Sequence, residues 1–143
     1  MRRRKTTLAV SALAALALLG YWQARSPDQG KQTQTVAGTA IVTVQVPLIE
    51  GNVAIGKRIF DSACAACHGA NAAGTNGLAP PLVHKTYEPG HHADEAFQRA
   101  ASLGVKSHHW SFGDMPPVQG LTRGDVTMII TYVRELQRAN GIH

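Results

Sequence analysis

The two cysteines of this 143-residue chain stand three positions apart, at Cys64 and Cys67, and His68 follows directly. Near the end of a helix, thiols at that separation face one side. Both can bond to the two vinyl groups of one porphyrin while the next residue aims its imidazole at the iron. The pattern is the CxxCH signature of covalent haem attachment. Three other chemistries fit it less well. A thioredoxin-like dithiol needs a strand–helix–strand context, and none is visible. A structural zinc site needs four ligands; two thiolates and one histidine leave it one short, with no second paired motif in the chain. A disulfide between residues three apart closes too short a loop to stabilise much. The motif therefore implies one haem c, covalent through Cys64 and Cys67, with its iron on His68.

Iron held by His68 needs a second protein ligand or an open position. Met115 lies in "GDMPP", residues 113–117, where the following prolines bias the backbone towards an extended conformation. A thioether is soft and favours ferrous iron, so a histidine–methionine pair raises the reduction potential. The ordinary use of a methionine is to fill a core, as expected for Met128 on the last helix. Met115 differs because prolines fix the loop that carries it. Four more histidines form adjacent pairs, His91–His92 and His108–His109. They are expected as solvent-exposed loop residues, with a histidine in place of Met115 as the alternative iron ligand. Trp110 is expected in the haem-pocket wall, its indole N–H wanting a partner such as a propionate. His84 is given no role.

Three helical stretches must position these groups. From Asn52, a plausible N-cap, the residues Val53, Gly56, Ile59, Phe60 and Ala63 share one face, and this helix delivers Cys64. A second is expected over 94–103, with Asp94 as cap, Phe97 and Ala100 inward and Gly104 as its stop. In the third, Thr122 and Asp125 form a capping-box-like start, and Val126, Ile129, Ile130, Val133 and Leu136 make the apolar stripe. Asn140 and Gly141 end it. About 25 residues rich in Gly, Ala, Asn and Pro separate the first two helices, a length that calls for something besides side-chain packing to organise it.

The segment from about Asn52 to Gly141 resembles a class I c-type cytochrome. Gly56 and Phe60 are similar to the family's glycine and aromatic on the first helix, where the glycine lets the last helix cross closely; Tyr132 matches the aromatic of the partner helix. Cys64, Cys67 and His68 match the attachment motif, and Met115 the distal methionine before proline. "APPL", residues 79–82, resembles the family's G-P-x-L, with Ala79 where the family has glycine. The resemblance implies that the Pro80 carbonyl accepts the Nδ1 hydrogen of His68 and that Leu82 packs on the porphyrin, an arrangement that fixes the imidazole and raises its basicity. It also implies an all-α, cytochrome c-like fold, with crossing N- and C-terminal helices around one haem.

Before this domain, expected over 51–143, residues 25–50 have the composition of a polar linker. Within it "TAIVTVQVP", 39–47, alternates like an edge strand, though an extended arm is the preferred reading. Arg2, Arg3, Arg4 and Lys5 precede an uncharged run, Thr6–Trp22, of 17 residues. Residues 1–24 read as a signal peptide or membrane anchor. As a helix the run spans roughly 26 Å against a hydrocarbon core of ~30 Å. Tyr21 and Trp22 suit an interface and no good cleavage site follows, so a retained anchor is favoured, with the remainder exported to the periplasmic side of a bacterial-type inner membrane. The formal net charge of +5 comes mostly from the leader; from Gly51 onward eight Lys or Arg meet seven Asp or Glu. That balance argues against nucleic acid. The expected function is single-electron transfer between redox proteins, not catalysis. The alternatives are the haem-carrying subunit of a membrane-bound oxidoreductase and, if the sixth iron position is open, a sensor or small-ligand enzyme.

Overall fold

The structure, a computed structural model, describes residues 38–143. The expected signal or anchor segment over 1–24 and the expected linker up to residue 37 lie outside the described residues. Among the described residues no helix is long and apolar enough to cross a membrane. The described chain is all-α, without a strand: α1 (Gly51–Ala63), α2 (Ala65–His68), α3 (Asp94–Leu103) and α4 (Arg123–Ala139), with 3-10 turns at Ala70–Ala72 and Lys85–Tyr87.

The expected apolar stripe of α4 is the core. Val126, Ile129, Ile130, Val133 and Leu136 are all buried, together with Tyr132 and, from α1, Phe60. Burying such side chains contributes about 1.5–3 kcal/mol each, which is what holds the two helices together. At their crossing Gly56 has no side chain to keep them apart. A Cβ there would sit 1.9 Å from the Met128 carbonyl oxygen, so only glycine permits this approach. Phe60 and Tyr132 meet with ring centroids 5.5 Å apart, and the Tyr132 hydroxyl donates to Asn71 Oδ1 at 3.1 Å. The start of α4 is the expected capping box: Thr122 Oγ1 accepts from the Asp125 N–H at 3.1 Å, and the Asp125 carboxylate accepts from the Thr122 N–H at 2.9 Å.

Two caps differ from expectation. The cap position of α1 is Glu50, not Asn52, and that of α3 is Ala93, not Asp94; neither side chain caps its helix. Asp94 instead accepts from Arg134 Nε at 2.9 Å. Arg134 is buried on α4, and its guanidinium also donates to the carbonyls of Tyr87 at 2.7 Å and His92 at 2.6 Å. Beside it, buried Gln137 donates to the Leu82 carbonyl at 2.8 Å. These two polar side chains tie the long loop to α4, and a buried fork of donors is tolerated because its hydrogens find partners.

The stretch 39–47 does not pair as a strand, because an all-α domain offers it no neighbouring strand edge. It lies on the domain as an arm. The N–H groups of Ile41 and Val42 both donate to the Ala73 carbonyl at 3.1 Å, Asn140 exchanges two hydrogen bonds with the Gln45 backbone, and Val44 and Ile49 pack against the core.

Candidate haem-attachment site

The end of α1 and the four-residue α2 set the spacing of the thiols. The Cys64 N–H donates to the Phe60 carbonyl, and the Cys64 carbonyl accepts from Cys67 at 3.1 Å and from His68 at 2.9 Å. The chain thus keeps helical pitch through the motif. Both thiols are free, Cys64 half-buried against the core and Cys67 exposed. Burial first, and the neighbouring Cys67 second, push the Cys64 thiol up to about 11.

The loop after the motif folds back on it. His68 O accepts from the Gly74 N–H at 2.7 Å, and the Leu82 and Val83 N–H groups both donate to Ala72 O. This return places the Pro80 carbonyl oxygen 2.9 Å from His68 Nδ1. The ring therefore donates from Nδ1 and keeps the Nε2 lone pair for a metal. Burial lowers the His68 pKa, while the Pro80 hydrogen bond works the other way. Ala79 takes the glycine position of the resembled motif without positive φ; it exchanges backbone hydrogen bonds with Thr75 at 2.9 and 3.0 Å.

A cavity of about 560 Å³ lies between this loop, α3 and the segment 104–116. Cys67, His68, Pro80 and Leu82 line it from the loop, and Trp110 and Met115 from the later segment. Met115 is pinned by the backbone: it exchanges N–H···O bonds with Val105 at 2.9 and 3.0 Å. Gly104 makes room for that bridge, since a Cβ on it would meet the Met115 carbonyl oxygen at 2.5 Å. His84 is not among the lining residues. Its Nδ1 accepts from the Thr86 N–H at 3.2 Å, and its ring stands edge-on to Trp110 at 5.1 Å.

The residues present fit a haem. Their donors are two thiols and an imidazole with a free Nε2, beside a cavity with largely apolar walls. The Trp110 indole Nε1 is buried with no well-formed hydrogen bond. It faces the Tyr87 hydroxyl, which it draws down against the larger upward push of burial. A buried donor with so poor a protein partner fits an acidic group such as a haem carboxylate. The Cys64–Cys67–His68 constellation is consistent with covalent haem c attachment and iron coordination. Arg134, Gln137 and the room that Gly104 leaves beside Met115 carry no signal in the local sequence. Their partners lie far along the chain, so no local spacing marks them.

The fold and this site define a c-type electron-transfer protein. The family profile described as Cytochrome c matches residues 53–137, more than half of the chain. The chain belongs to the cytochrome c family, as an electron carrier and not itself an enzyme. No curated protein matches it significantly.

Proposed function

We propose that the protein is a monohaem cytochrome in which the Met115 thioether would join His68 as the second protein ligand of the iron, and that it passes single electrons between redox proteins outside the cytoplasm. Met115 lines the same cavity as His68, on a segment held by a two-way backbone bridge to Val105; that observation carries the reading. A preorganised ligand loses little entropy when it binds. Haem, when bound, supplies the Fe(II)/Fe(III) couple. The chain's own residues do the rest: Cys64 and Cys67 hold the group, the Pro80 carbonyl keeps the His68 imidazole oriented, and Leu82 with the other apolar lining excludes water. A dry, rigid surround keeps reorganisation on electron transfer small and favours the ferrous state.

Exposed Cys67 puts one edge of the site at the surface, which supports docking of a protein donor and acceptor there. The basic start, Arg2 to Lys5, and the uncharged run to Trp22 support export and a membrane anchor over residues 6–22.

The test is Met115→Ala in the holoprotein. The reading expects loss of the ferric sulfur-to-iron charge-transfer band, a lower midpoint potential and rapid carbon monoxide binding by the ferrous form. An unchanged spectrum and potential would dismiss Met115 as ligand.

A further inference from the structure

The adjacent histidine pairs lie on two loops, one before α3 and one between α3 and Met115, and the fold brings them together. The rings of His91 and His109 are 5.1 Å apart between centroids, as are those of His92 and His109, and His91 and His92 are 4.7 Å apart. One ligand nitrogen from each of these three lies within 4.8 Å of the others. We propose that His91, His92 and His109 form a binding site for one divalent first-row transition-metal ion of the zinc or copper type, at the mouth of the haem cavity.

Three observations carry this. The geometry is within reach: around an ion bonded at about 2.0–2.1 Å, tetrahedral imidazole nitrogens stand roughly 3.3 Å apart. Exposed His91 and His109 close the remaining gap by side-chain rotation. His92 is set in advance. Its Nδ1 donates to the Thr86 carbonyl at 2.6 Å, leaving Nε2 as the lone-pair donor, and its own carbonyl is held by Arg134 at 2.6 Å. A ring tied through one nitrogen to a carbonyl is the habitual state of a metal-binding histidine. Finally, His108 has the same tie, to the Lys106 carbonyl at 2.7 Å, and its ring lies 4.3 Å from that of His109. His108 stands outside the three-nitrogen group, so the fourth position is left to water.

All the donors are imidazole nitrogens with no carboxylate among them. Such a set selects zinc, copper or nickel over calcium and magnesium, which take oxygen. His92 and His109 also line the haem cavity, so an ion held here adds positive charge beside the haem and favours its ferrous form. The site stands whether or not Met115 ligates iron.

The experiment is equilibrium dialysis of untagged, chelator-stripped holoprotein against Zn²⁺ at neutral pH, read as zinc per haem. One Zn²⁺ per haem is expected at micromolar concentrations. His91→Gln and His109→Gln should each weaken binding about tenfold or more, while His143→Gln, away from the cluster, binds as wild type. The wild-type midpoint potential should rise on zinc addition, and that of the His91→Gln, His109→Gln double variant should not. Equal zinc uptake by the wild type and a double variant with an intact haem spectrum would overturn the site. So would an absence of wild-type binding.

Discussion

Replacing Gly104 by Ala tests whether the Met115 segment is held as rigidly as a preorganised ligand requires. Gly104 has φ 75° and ψ −177°, a region open essentially to glycine, which costs any other residue about 1–3 kcal/mol. The added Cβ would lie 2.5 Å from the Met115 carbonyl oxygen and 3.1 Å from both Cδ and N of Pro117. The proline ring cannot turn away, so the Met115 backbone must retreat by roughly 0.5–1 Å, and overpacking of this kind adds about 1–3 kcal/mol. The expected loss is about 3 kcal/mol in denaturant unfolding of the holoprotein, from a domain whose whole stability is of order 5–15 kcal/mol. The same retreat draws the thioether away from its set position. With Met115 on the iron as proposed, the ferric sulfur-to-iron band should weaken, and added imidazole should bind more tightly than to wild type. A variant within about 0.5 kcal/mol of wild type, with its band unchanged, would refute the claim that this glycine sets the position of Met115.

Gly56→Ala gains about 1 kcal/mol of helix propensity. It also places a Cβ 1.9 Å from the Met128 carbonyl oxygen, so α1 and α4 must separate; a net loss above roughly 2 kcal/mol is expected by urea unfolding, and a stabilised variant would show that the crossing is not tight. Hydrogen bonds from Thr122 hold the Asp125 carboxyl below its ordinary value. Its contribution is therefore present above the unfolded-state value near 4 and lost as pH falls through the lower folded value. Asp125→Asn should be less stable than wild type at neutral pH, with the difference shrinking to nothing in acid; a pH-independent difference would dismiss the capping carboxylate.

Much of the domain is legible along the chain because its rules are short-ranged. The separation of Cys64 and Cys67 is one helical turn, the Thr122–Asp125 box spans another, and the α4 stripe repeats with the helical period. Each depends only on residues within a turn or two, so spacing alone suffices. The cap at Ala93 escapes this logic, because Asp94 has a distant partner, Arg134, that holds its carboxylate. The alternation over 39–47 likewise describes a segment able to extend, without saying whether a strand edge waits for it.

Which distant residues converge is settled by the folded chain as a whole. The two histidine pairs lie 17 positions apart, and by themselves read as exposed polar loops; three of the four side chains are indeed exposed. Their meeting depends on α3 doubling back between them and on Arg134 gripping His92 from α4. The same holds for the Val105–Met115 bridge and the room that Gly104 leaves for it. The local sequence of each partner constrains where its own side chain can point. Which distant group it meets is set by the burial of Phe60, Tyr132 and the α4 stripe in one core, and that is a property of the whole chain.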